Sequence, residues 1–391
     1  MKRILAASVA AVLAIGTLAG CGSKATNDTS GAGSADGDVI KIGIFEPLTG
    51  ANAAGGQLEV EGMMLANEMR PEVLGKKVVL VQADNKSDKA EATTAAARLI
   101  EKEKVACILG SWGSSLSIAA GDLVKTNKVP AIGASCTNPL VTQGNDYYFR
   151  VCFIDTDQGR IVANYCADNF GAKKVAVIQE VSNDYSTGLV KIFSENFKAK
   201  GGEIIDGGSY QTNDTDFSGI LANLKSSNPD AIFAPGNYTE SAMIIKQARA
   251  QGITAPFIGC DTWETGPFIE VGGSDVEGAI MTTFFDDKNP VNDEGKKFVE
   301  AYNKKYPDKQ GNIDSVAALG YDAYMLALDA IERAGSTDGT AVRDAIAATK
   351  DFQGATGAIT INETGDADKD VAIIKTVKDG KFTFLDTVKM K

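Results

Sequence analysis

Five polar clusters in this 391-residue chain stand at or just beyond the ends of short apolar runs, which brings their side chains together. Trp112-Gly113-Ser114-Ser115 follows ACILGS. Cys136-Thr137-Asn138-Pro139 follows PAIGAS, which ends on Ser135. Ser182-Asn183-Asp184-Tyr185 follows KVAVIQ, Asn237-Tyr238 follows DAIFAPG, and Asp261 follows PFIGC. The first two clusters offer hydroxyls and turn residues, while the other three offer aromatic rings and the carboxylates of Asp184 and Asp261. Such a set can clamp a small zwitterion from both ends. It is poorly equipped for covalent chemistry. The chain has no histidine, which removes every Ser-His or Cys-His nucleophile, every imidazole base and every His-ligated metal. Asp155 with Asp157 and Asp286 with Asp287 are the acidic pairs left to a secreted enzyme, the rival reading. No second functional group is spaced to assist them, and carboxylate pairs in loops are ordinarily solvated. The expectation is therefore a binding protein without catalytic activity, cofactor or metal.

The elements that must position these clusters alternate strand and helix. IKIGIF (40–45) precedes a helix expected from Leu58 to Met69, and KVVLVQADN (77–85) precedes one from Ala90 to Lys102. ACILGS (106–111) precedes IAAGDLVKTN, and PAIGAS (130–135) follows. The pattern restarts at KVAVIQ (174–179), with helices expected over 187–200, 217–226 and 239–250 between further apolar runs. Continuous apolar strands separated by helices predict parallel sheets covered on both faces, in two doubly wound halves. Ligands in such sheets sit beyond the carboxyl ends of the strands, beside helix N-termini.

The start of the chain reads as an address. Lys2 and Arg3 precede an uncharged apolar run that ends in small residues, the pattern of a secretory signal over residues 1–20. Leu18-Ala19-Gly20-Cys21 resembles a bacterial lipobox, which implies a lipid on Cys21. Residues 21–38 are then a flexible tether, because 22–37 contain no aromatic or large aliphatic side chain. The expected protein is extracytoplasmic and lipid-anchored. A formal charge of −12 argues against nucleic acid as a partner. Cys107, Cys136, Cys152, Cys166 and Cys260 sit in apolar surroundings with no CxxC spacing, and are read as mostly unpaired.

Several longer stretches carry a family resemblance: IGIFEPLTG (42–50), GASCTNPLVTQ, YYFRVCFIDTDQG, SNDYSTGL, DAIFAPGNYTE with IIKQARAQGI, FIGCDTWE and ALGYDAYMLALDAIERAGSTDG. Over nearly all of 39–391 the chain resembles the branched-chain amino-acid (Leu/Ile/Val)-binding proteins, the solute-binding components of ABC importers. The resemblance implies an α/β, type I periplasmic-binding-protein fold with two lobes joined by three crossovers. Lobe 1 would comprise 39–157 plus 285–366, and lobe 2 would comprise 158–284 plus 367–391. It implies an aliphatic L-amino acid as ligand, an ABC permease in the cytoplasmic membrane as partner, and a monomer. Another small polar ligand, such as an amide, urea or a sensory ligand, is the alternative within the same fold.

Residue by residue, the resemblance places the ligand carboxylate at Ser114 and Thr137, beside Ser115. It places the ammonium at the Ser135 carbonyl and Asp261, and has Tyr185 with Asn237 or Tyr238 closing over the ligand. The carboxylate site has a physical basis of its own, since helix N-terminal N–H groups favour an anion. The same hydroxyls also fit as plain N-caps, Asp261 as a solvated loop residue, and Tyr185, Asn237 and Tyr238 as half-buried packing. Trp112 stands where some members carry a smaller aliphatic. It is expected either to face the ligand side chain or to fill the lobe core.

Overall fold

The computed structural model describes residues 39–390; the expected signal peptide, Cys21 and the tether lie outside them. Among the described residues, a first, six-stranded sheet runs in the order Glu72–Val73, Lys76–Asp84, Val39–Glu46, Cys107–Leu109, Ala131–Gly133, Tyr148–Arg150. Its neighbours pair parallel except the short Glu72–Val73 strand. Buried Ile42, Ile44, Leu109 and Ile132 make its strands continuous apolar runs, as sheets covered on both faces require. Strand order reverses at Val39–Glu46, which opens a crevice beyond the carboxyl ends of Val39–Glu46 and Cys107–Leu109.

The second sheet has seven strands in the order Lys381–Lys389, Val371–Lys378, Ile280–Thr283, Phe257–Gly259, Ala231–Phe233, Lys174–Glu180, Glu203–Tyr210. Its order reverses at Lys174–Glu180, so its crevice opens at Glu180 and beyond Phe233. The fold is the expected α/β pair of doubly wound lobes. A C-terminal hairpin, Val371–Lys378 with Lys381–Lys389, closes the edge of the second sheet antiparallel. Asp379 and Gly380 turn it with φ 53 and 67, the positive values that a two-residue hairpin loop needs.

The chain leaves the first sheet after Arg150 and returns from the second after Thr283. It crosses a last time between Asp368 and Val371. A buried ionic group stitches the last two passages: Lys375 pairs with Glu264 and lies 3.5 Å from Asp286, and Thr283 donates to Glu264.

The first helix spans Ala53–Met69, five residues longer at its start than the sequence pattern predicts. Gly55 and Gly56 are weak helix formers, which hides this turn from propensity. Contacts hold it instead, since a Cβ on Gly56 would lie 2.4 Å from the Pro47 carbonyl oxygen. Gly62 and Gly320 let this helix press against Ser315–Ala334; a Cβ on Gly320 would lie 2.1 Å from the Glu59 carbonyl oxygen. The helices after the serine and tyrosine clusters also begin earlier than expected, at Ser114 and at Asp184. Asn183 caps the latter by accepting from the Tyr185 N–H.

Candidate functional site

A cavity of ≈ 350 Å³ lies between the carboxyl ends of the two sheets, a size suited to a small metabolite. Its walls include Trp112, Ser114, Ser115 and Ser135 from the first lobe and Tyr185, Asn237 and Asp261 from the second. Thr137 and Tyr238 stand behind these walls.

Ser114 is the first residue of the helix Ser114–Asn127, whose opening N–H groups have no partner within the helix. Its Oγ accepts from the Asn138 N–H at 3.1 Å, which leaves the hydroxyl proton to donate elsewhere. Neutral donors of this kind at a helix N-terminus suit an anion. Ser115 spends its hydroxyl differently, donating to Asp184 Oδ2 at 2.8 Å across the cleft. Lys89 Nζ lies 2.8 Å from the same oxygen, so the first lobe grips the second at the cavity mouth.

Asp261, 3% exposed, faces the serine helix from the other lobe. Its Oδ1 accepts from Tyr185 Oη at 2.9 Å and Gln158 Nε2 at 2.7 Å, both neutral. Among the described residues no Lys or Arg forms an ion pair with it. Burial pushes its carboxyl up to about 6, against the pull of those two hydrogen bonds. Gln158 also donates to Asp155 Oδ1 at 3.2 Å, and burial with the nearby Asp261 charge raises Asp155 to about 8. The acidic pairs of the sequence are therefore split. Asp155 is buried while Asp157 pairs with Arg160 near the surface, and Asp286 is buried beside Lys375, not solvated.

Thr137 is fully buried behind the cavity wall beside Asp155, and its Oγ1 has no hydrogen-bond partner in the protein. Tyr238 sets its ring edge-on to Trp112, with centroids 5.8 Å apart, and donates to the Ala51 carbonyl of the other lobe at 2.7 Å. Trp112 lines the cavity and is also 1% exposed, pressed on Gly55, where a Cβ would lie 2.4 Å from the indole. Asn237 donates through its backbone N–H and Nδ2, both at 3.2 Å, to Glu180.

Glu46, Glu59 and Glu180 escaped the sequence reading, and all three are 0% exposed. Glu46 and Glu180 end apolar strands, where an acidic residue reads as the start of a solvated loop. The signal that marks Glu59 is its helical spacing with the buried Gly55, Gly62 and Met63. The five cysteines of the body are free and buried, as read. Among the described residues there is no cluster that could hold a metal ion, and no helix is long and apolar enough to cross a membrane.

The profile of the family described as Periplasmic binding protein matches residues 39–381. A Leu/Ile/Val-binding protein homolog 3 from Brucella melitensis is 29% identical over 355 residues, 89% of this chain and 94% of that one. Among solved structures, a leucine binding protein, LivK, from Thermotoga maritima is 43% identical with a TM-score of 0.87, covering 90% of this chain and 99% of its own. LivJ from Streptococcus pneumoniae, a branched-chain amino acid transporter substrate binding protein solved in complex with isoleucine, is 32% identical. Its TM-score is 0.83 and it covers 90% of this chain and 99% of its own.

Proposed function

The chain belongs to the periplasmic binding protein family, in its branched-chain amino-acid-binding branch, and we propose that it captures an aliphatic, branched-chain L-amino acid for an ABC importer. The ligand carboxylate takes the Ser114 hydroxyl and the free N–H groups of its helix. The ammonium takes Asp261 and the Ser135 strand end, and the side chain lies toward Trp112. One observation carries this reading: a buried carboxylate held only by neutral donors faces a set of neutral anion donors across a small cavity. A zwitterion supplies the missing cation to one wall and the missing anion to the other. The protein acts as a monomer and carries out no chemistry of its own.

Calorimetry and thermal shift against the twenty amino acids test this reading. A ligand at a hundredfold excess over its Kd adds about 2.7 kcal/mol of apparent stability. Isoleucine, leucine or valine is expected to give the largest shift, and a protein indifferent to all three is not a branched-chain carrier. One feature favours a second reading, a ligand whose side chain donates a hydrogen bond. Asn52, in the cavity wall, has a buried Oδ1 with no protein donor. Glutamine and threonine in the same screen decide between the two.

The anchor belongs to the proposal as well. LAGC with its polar tether supports lipidation of Cys21 and residence at the outer face of the cytoplasmic membrane or in the periplasm. Cys21→Ala should move the protein out of the membrane fraction or leave it unprocessed. A mature N-terminus other than a modified Cys21 rules the anchor out.

A further inference from the structure

Two buried carboxyl groups beneath the site have no evident role in holding a ligand directly. Glu46 ends the strand at the first switch point, and Glu59 sits on the inner face of the helix Ala53–Met69. Each carboxyl group has one oxygen satisfied by a donor from the binding wall. Glu46 Oε2 accepts from the Trp112 N–H at 2.7 Å, and Glu59 Oε1 accepts from the Ser135 hydroxyl. Each has one oxygen, Glu46 Oε1 and Glu59 Oε2, that is buried without a donor. The two carboxyl groups lie close enough that a proton on either would give the other a hydrogen-bond donor.

Counting protons leaves one arrangement. Two ionised carboxylates at hydrogen-bonding distance, fully buried and without a cation, repel strongly in a low dielectric. Two neutral acids would bring two protons to a contact that needs one, and the second O–H would meet the Trp112 N–H, which can only donate, or force the Ser135 hydroxyl to give up its own bond to Glu59. A single proton between Glu46 Oε1 and Glu59 Oε2 satisfies every atom and leaves the pair with one negative charge. Burial raises both groups, Glu46 well above the carboxylate range and Glu59 to about 7, in the direction that retains this proton.

We propose that Glu46 and Glu59 share one proton and act as positioning residues, a brace that ties the carboxylate-binding loop at Trp112 to the ammonium-binding strand end at Ser135. The inference rests on the amino-acid site proposed above and deepens it. The helix crossing at Gly320 fixes the backbone of Glu59, so the brace gives both halves of the first-lobe wall a common reference. With its hydroxyl proton committed to Glu59, Ser135 turns acceptor lone pairs outward, the polarity an ammonium needs. The remaining negative charge lies close enough to interact with Asp261, so the ammonium binds in the field of two carboxyl groups.

The test uses Glu46→Gln, Glu59→Gln, their double variant and Glu46→Leu in the full chain, with isoleucine affinity and unliganded melting temperature as readouts. An amide at either single position reproduces the shared proton: its NH2 donates to the remaining carboxylate, and its oxygen keeps the outer hydrogen bond. Each single Gln variant should bind within about threefold of wild type. The double variant loses the charge. It can pair its two amides only by reversing Ser135, and should bind at least tenfold more weakly while remaining folded. Glu46→Leu strands the Trp112 N–H and should lose both affinity and melting temperature, with Glu46→Gln restoring both. A double variant that binds like the singles, or a Glu46→Gln as weak as Glu46→Leu, overturns the brace. If wild type binds no amino acid, the functional reading fails. The brace is then judged by melting temperature alone, with Glu46→Gln near wild type and Glu46→Leu well below it.

Discussion

Ser115 and Asp184 exchange two hydrogen bonds across the cleft: the serine hydroxyl donates to Asp184 Oδ2 at 2.8 Å and accepts the Asp184 N–H at 2.9 Å. Asn138 Nδ2 donates to the Asp184 carbonyl at 2.7 Å, and Lys89 completes the contact. The two residues stand in the first turns of helices in different lobes, and Ser115 satisfies the first N–H of the Asp184 helix from the lobe opposite. This latch exists only when the lobes are closed.

Asp184→Ala should therefore weaken ligand binding chiefly by speeding release. Lys89 and Asp184 are partly exposed, which limits their ion pair to under about 1 kcal/mol, with the hydroxyl bond adding a similar amount. A three- to tenfold rise in Kd is expected, with the rank order of ligands unchanged. Stopped-flow dissociation checks it; an unchanged off-rate means the latch contributes nothing to closure.

Asp261 sets a pH dependence. Burial pushes its carboxyl up to about 6, and it must be ionised to pair with an ammonium, so binding releases a proton below that pH. Affinity should be flat above pH 7 and fall as pH drops through 6, toward tenfold per unit at the acid end. Asp261→Ala removes one partner of a buried charge pair, for which ~2 to 5 kcal/mol is typical. It should weaken binding at least tenfold and abolish the acid dependence. Calorimetry from pH 5 to 8 tests both; an acid limb that survives in the variant assigns the titration to another group.

Trp112 lines the cavity and Gly55 backs its ring. A methyl at Gly55 falls 2.4 Å from the indole, so Gly55→Ala must push the ring toward the cavity. Overpacking of this kind costs ~1 to 3 kcal/mol. Binding of leucine and isoleucine should drop more than binding of alanine or valine. Trp112→Leu should act in the opposite direction and favour larger side chains, with some loss of stability because the ring is buried. If both variants lose only melting temperature, the ring is core and not pocket.

Lys375 neutralises Glu264 and Asp286 where two chain passages meet, and is 3% exposed. Lys375→Met leaves the carboxylates facing each other without a cation. Destabilisation of about 3 to 5 kcal/mol is expected from losing one partner of a buried ionic group. A denaturant midpoint within error of wild type would show that the acids simply take up protons.

The fold was legible because its parallel strands are apolar throughout and its turns are polar, so the alternation of IKIGIF, KVVLVQ and ACILGS with helical stretches has one economical reading. Helix starts were less legible. The turns at Ala53 and Ser114 are held by contacts with Trp112, Pro47 and Asn138, and not by propensity. Strand-end position found Ser114, Ser135, Tyr185, Asn237 and Asp261 on the cavity wall. It could not tell that Tyr238 backs Trp112, because that is a choice of side-chain direction. Glu46 and Glu59 stayed hidden for a related reason: their role depends on a contact between a strand end and a helix that only the packed lobe creates.

The state of the cysteines has a practical corollary. Cys107, Cys136, Cys152, Cys166 and Cys260 are all fully buried, and burial raises their thiols above the ordinary range, to about 12 at Cys107. Thiolate is the reactive form, so none of these five should take up a maleimide in the folded state. The body is thus a silent background for site-specific labelling. One cysteine introduced on the surface of each lobe would carry a donor and acceptor dye pair, and single-molecule energy transfer would then follow opening and closing of the cleft as ligand arrives.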